Sequence, residues 1–152
     1  KKKLLLIHHE KTIIYAKTLQ KKNLQLRPGV ADLIKQAQEK KMKLAIATAT
    51  SLKNVDSLIN NIWGTPNNKI FQVIGSSDGV SKKKPSPEVY ELVLNRLQLE
   101  PQHCIAIEDS LNGLRSARSA GLKTIVNPSL YTKNDDFQLA DVVVPSLVGF
   151  KL

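Results

Sequence analysis

With 152 residues, 41% of them apolar and 24% charged, the chain has the size and make-up of one ordinary globular domain. It contains no run of about 18 apolar residues, which excludes a membrane-spanning helix, and Leu4–Ile7 is too short for a signal-peptide core. A single cysteine, Cys104, rules out an internal disulfide and predicts a reducing compartment, a cytoplasm or a plastid stroma. The net charge of +10 comes from lysine clusters at 1–3, 21–22, 40–41 and 82–84. They fall in different elements without interleaved aromatic residues, which argues against a nucleic-acid surface. A small phosphorylated substrate suits such a charge, and the histidine and cysteine spacings give no zinc pattern.

In chain order, residues 1–22 contain no turn residue, and Leu6, Ile13, Ala16 and Leu19 recur at roughly helical spacing. Pro28 then opens a helix with Val30, Leu33, Ile34 and Ala37 on one stripe. A strand follows at 43–48, and a helix from about Lys53 to Trp63 stops at Gly64. The next strand is 70–75. Ser86 and Pro87 start a third helix, with Val89, Leu92, Val93 and Leu97 inward. Strand 104–108, a helix from Ser110 to Gly121, and strands 123–126 and 141–144 complete the chain. Continuous apolar strands alternating with helices predict an α/β fold, a parallel sheet buried on both faces.

In such sheets chemistry gathers where the strands end. The first end reads ATATS. Thr48 and Thr50 offer hydroxyls and the turn offers N–H groups ahead of a helix, a place to hold an anion, although Ser51 capping the helix explains the same residues. In SKKKPSP, Lys84 is held out of helical geometry by Pro85 and can act as a point charge for a phosphoryl group, whereas Lys82 and Lys83 read as a solvated loop. Glu108 and Asp109 end a fully apolar strand. Ser110 can cap the next helix alone, which leaves the acidic pair in need of a partner such as magnesium.

A Thr after an apolar strand, then K-P-x-P, then E-D-S-x-x-G resembles the second, third and fourth motifs of the haloacid-dehalogenase phosphatases, in order and spacing from residue 24 onward. LRPGV, LAIATATSLKNV, EDSLNGLRSARSAGLKTIV and PSLYTKNDDF narrow the resemblance to the branch containing xylulose-1,5-bisphosphate phosphatase, phosphoglycolate phosphatase and β-phosphoglucomutase. The resemblance implies a Rossmann-like core and a magnesium-dependent sugar-phosphate phosphatase, a monomer working through an aspartyl phosphate. It implies that Thr48 and the Ala49 N–H, beside Thr50, bind phosphoryl oxygens and that Lys84 neutralises their charge. Asp109 would bind Mg2+, with Glu108 as a further ligand or support, and Gly113 would let its helix pack closely.

The family's first motif, D-x-D-G-T, is absent, and no D-x-D occurs anywhere in the sequence. Residues 4–12 laid on that motif would put His8 at the nucleophile, Glu10 at the acid/base and Thr12 at the threonine. The reading preferred here makes 1–23 the last helix of a helical cap and 24–152 the C-terminal part of the hydrolase core. The central strand carrying the nucleophile is then missing, two strand edges stay unpaired, and this chain alone is expected to be inactive. A phosphomutase and a non-catalytic phosphate-binding homologue are the alternatives.

Overall fold

The computed structural model describes residues 10, 14, 24–64 and 70–152. Glu10 and Ile14 are helical, and the rest of the 1–23 segment, with His8 and Thr12, lies outside the described residues.

From Leu24 the chain enters a turn at Pro28–Gly29 and forms α1 (Val30–Glu39), which buries Leu33 and Ala37. Then come β1 (Ala45–Ala47), α2 (Leu52–Trp63), β2 (Val73–Gly75) and α3 (Glu88–Leu97). The second half holds β3 (Ile105–Glu108), α4 (Leu111–Ser119), β4 (Lys123–Val126) and β5 (Val142–Val143). Local signals set the boundaries. Ser51 Oγ accepts from the Asn54 N–H at 3.4 Å, and α2 ends on Gly64 in the left-handed region. Ser110 Oγ accepts from the Gly113 N–H at 3.3 Å and starts α4. Pro87, not Ser86, is the residue capping α3. Its ring presets φ, and Ser86 Oγ takes the Glu88 N–H from one position earlier.

The strands are parallel but form two sheets, β1–β2 and β3–β4–β5. Among the described residues, β1 pairs only with β2 and β3 only with β4, so each keeps one free edge. Helix α3 packs on β1 and β2, α4 packs on β3 and β4, and the helices touch each other. Val89, Tyr90, Leu94, Ala106, Ala117 and Leu122 form the core between them. Burial on both faces of every strand, expected from the apolar runs, does not occur. Ala106 and Glu108 of β3 are buried under α3 and α4, whereas Ile105 and Ile107 are 51% and 41% exposed. Alternate side chains point to opposite faces, and no described element covers that second face. Both β5 valines are exposed as well.

The C-terminal segment closes over α1. Gln36 Nε2 donates to the Phe150 carbonyl at 3.0 Å, the Leu152 N–H to Gln36 Oε1 at 3.2 Å, and Lys40 Nζ to the Leu152 carbonyl. Gly29 has φ +86°, and a Cβ there would sit 2.2 Å from the Leu147 carbonyl carbon, so both backbone and space demand glycine.

Candidate functional site

The ends of β1 and β3 bring three segments together. The Thr48 N–H donates to the Gly75 carbonyl at 2.9 Å, the last rung between β1 and β2. Beyond it the turn is braced from within and from the side. Thr50 N–H donates to Thr48 Oγ1 at 3.2 Å, and Asn54 Nδ2 to Thr50 Oγ1 at 2.9 Å. Ser77 N–H reaches the Thr50 carbonyl at 2.8 Å, and Asp78 Oδ2 accepts from the Leu52 N–H at 2.8 Å. The Ala49 N–H has no protein acceptor among the described residues. A rigid turn with a free N–H and a hydroxyl at the start of α2 is suited to an anion.

Lys84 arrives from the loop before α3 through a cis bond to Pro85. Glu88 ties that loop down by accepting from the Lys82 N–H, the Ser81 hydroxyl and the Ser81 N–H at 2.8 to 3.0 Å. These bonds, the Lys82 N–H foremost, hold the Glu88 carboxyl below its ordinary range. Ser116 Oγ, fully buried on α4, donates to the Ser86 carbonyl at 2.6 Å and fastens the loop from the other side. Lys82 and Lys83 are exposed. Lys84 Nζ donates to the Ala47 carbonyl at 3.0 Å and to Glu108 Oε1 at 2.5 Å. The lysine therefore spans the free edges of the two sheets, one residue from Thr48.

Glu108 and Asp109 separate into different environments. Glu108 is buried and takes Lys84 Nζ and the Tyr90 hydroxyl on the same oxygen. Asp109 is exposed, and its backbone carbonyl is held by the Ser129 N–H and the Thr132 hydroxyl. Asp135 accepts from the Leu111 N–H at 3.1 Å and braces the start of α4. A cleft of about 220 Å³ opens beside the acidic pair, between Arg27, Ile107 and Asn127. Arg27 donates to the Asn127 and Pro128 carbonyls at 2.9 and 2.8 Å at its rim.

Among the described residues, no group of three or more acidic, histidine or cysteine side chains could hold a metal. Asp109 still offers one exposed oxygen ligand. This fits magnesium, which keeps several waters and takes only one or two carboxylates plus phosphate oxygens. Glu108 already holds a cation, Lys84.

The structure thus brings together Thr48, Ala49, Lys84, Glu108 and Asp109, with Thr50 bracing the turn. Sequence reasoning missed Tyr90. It lies on the inward stripe of α3, and a buried tyrosine needs a partner for its hydroxyl, which was the available signal. It also gave Gly113 only a packing duty. A Cβ at Gly113 would lie 1.9 Å from Glu108 Oε2, so the glycine makes room for that carboxylate.

The sequence model of haloacid dehalogenase-like hydrolases matches residues 2–127. The chain is 45% identical to Protein CbbY of Cereibacter sphaeroides, over 92% of this chain and 61% of that protein. It is 31% identical to a phosphorylated carbohydrates phosphatase of Thermotoga maritima, over 93% of this chain and 62% of that one. The crystal structure of CbbY from Rhodobacter sphaeroides in complex with phosphate superposes with a TM-score of 0.90 at 45% identity, covering 93% of this chain and 63% of that chain. A variant of the same protein, crystallised with xylulose-(1,5)bisphosphate, gives the same values. The chain therefore spans about three fifths of the length of these relatives.

Proposed function

The chain belongs to the haloacid dehalogenase-like hydrolases, and from that premise we propose that it is the phosphate-holding part of a magnesium-dependent phosphatase for a small sugar phosphate. The observation that carries this reading is Lys84. Its ammonium joins the Ala47 carbonyl, next to the Thr48–Ala49 turn, to Glu108, next to Asp109. One cation thereby gathers the anion-holding turn and the exposed carboxylate at a single point. Similarity to proteins named or crystallised as acting on or binding phosphorylated sugars supports the substrate class.

In this reading the Thr48 hydroxyl and the Ala49 N–H donate to phosphoryl oxygens. Lys84 has three donors and uses two on protein, which leaves one for the phosphoryl group. Asp109 would hold the metal, which when bound neutralises phosphoryl charge. Such transfer needs little more than an in-line nucleophile and fixed charges on the oxygens. The family route passes through an aspartyl phosphate. With no D-x-D among these residues, the attacking carboxylate would come from elsewhere in a longer polypeptide, and these residues alone would be inactive.

Phosphate release from a panel of sugar phosphates with Mg2+, measured on the full-length polypeptide, tests the reading. Asp109→Asn should cut turnover by about a hundredfold or more and raise the Mg2+ concentration needed for half-maximal rate. Isomerised sugar phosphate without release would make the protein a mutase. Binding without turnover would make it a non-catalytic phosphate binder.

A further inference from the structure

We propose that Tyr90 is a positioning residue for Lys84, acting through Glu108, and that Gly113 keeps open the slot in which the three groups meet. The proposal deepens the phosphate-holding role of Lys84 and rests on it.

Three groups converge on one carboxylate. Glu108 Oε1 accepts from Lys84 Nζ and from the Tyr90 hydroxyl. Its other oxygen, Oε2, lies against Gly113, where even a methyl group would stand at 1.9 Å. The Lys84 ammonium also lies 4.8 Å from the centre of the Tyr90 ring, within reach of a cation–π contact. All three side chains are shielded. Tyr90 and Glu108 are 8% and 9% exposed, and the Lys84 side chain is 12% exposed.

A lysine on a four-carbon stem is a mobile point charge. A buried glutamate is a poor anchor unless its own rotamer is held. The phenol supplies that hold. Its O–H fixes Oε1 in place, the glycine lets the carboxylate sit flat against α4, and Lys84 is left one free donor. A phenylalanine at residue 90 would keep the ring and the core volume and remove only the bond to Glu108. Burial, followed by the Glu108 charge, pushes the Tyr90 phenol well above its ordinary range, so it stays a donor.

The test compares wild type, Tyr90→Phe and Gly113→Ala in the full-length polypeptide. The rate at which Lys84 is acylated by a small amine reagent, read by peptide mass spectrometry, reports how firmly the ammonium is held. Kinetics on phosphate esters are measured in parallel, with the melting temperature as control. Tyr90→Phe should raise Lys84 acylation about tenfold and lower kcat/KM by a similar factor, with the melting temperature lowered by several degrees and the protein still folded at the assay temperature. Gly113→Ala should move acylation the same way, because it displaces Glu108 while leaving the phenol intact. Wild-type acylation of Lys84 in Tyr90→Phe would overturn the proposal, whatever its kinetics, and leave Tyr90 a core residue. Faster acylation in a protein that hydrolyses no phosphate ester would support the positioning role and defeat the phosphatase reading instead.

Discussion

The two sheets differ in how their burial is distributed. In the β3–β4–β5 sheet, Thr124 and Val126 have no exposed surface, while Ile105, Ile107, Val142 and Val143 are 41% to 51% exposed. In the β1–β2 sheet no strand residue is exposed: every residue of β1 is partly buried, and Gly75 is buried in β2. The Thr48–Ser51 turn sits on the evenly half-buried sheet and Glu108–Asp109 on the two-sided one. The difference shows a division of labour. One half has its strand end held by side chains from the other, Lys84 and Tyr90 on Glu108. The other fixes its strand end by polar braces, through Asn54, Ser77 and Asp78. Among the described residues, Lys84, Tyr90 and Ser116 tie across the boundary.

Breaking the tie at the site should have the largest effect. Lys84→Ala in the full-length polypeptide should lower turnover by about 10²- to 10³-fold, as loss of one preorganised charge clamp does. Near-normal kinetics would show that the halves do not meet functionally at this lysine. A stability contrast comes next. Leu114→Ala, at a site with no exposure, should cost about 2–5 kcal/mol in denaturant unfolding. Ile107→Ala, although mid-strand, should cost under about 1 kcal/mol in these residues alone, because its side chain is 41% exposed. Equal costs would mean the open face is covered in solution.

Ser116→Ala probes the second tie and should cost about 1 kcal/mol, since it removes the donor to the half-buried Ser86 carbonyl. The smallest effect is on pH. Asp141 is held below the ordinary carboxylate range, first by the Thr124 N–H at 2.7 Å and then by Arg118 at 2.7 Å, and Glu88 is lowered by its loop bonds. A carboxylate whose native pKa is depressed adds stability above its unfolded pKa and loses it as pH falls through the native one. The melting temperature should therefore decline below about pH 4. Asp141→Asn should flatten that decline, and an unchanged acid limb would remove Asp141 from the account.

Much of this was legible in the residues. Gly64, Ser110 and the apolar runs mark where elements begin and end, because capping and left-handed turns are local requirements, whereas Pro28 lies in the turn ahead of α1, which Gly29 caps and Val30 starts. All five strands fall inside the expected stretches. The exposure of Ile105 and Ile107 was not legible. An apolar strand announces what it would bury, and only its neighbours determine what it does bury. The Tyr90–Glu108–Lys84 meeting escaped for a related reason. Its members come from a loop, a helix and a strand end, and no period in the sequence links them. Glu108 and Asp109 are adjacent in sequence and face different surroundings, which is the alternation of a strand carried one residue past its end.

Gly29 has a consequence in the order of synthesis. Its turn leans on Leu147 and Val148, which the ribosome delivers long after it. Until they arrive, the turn into α1 has no wall to rest on, and α1 has no Phe150 or Leu152 to receive Gln36 and Lys40. The entry into α1 is thus a late-acquired property of the growing chain, set by contacts with residues 147–152.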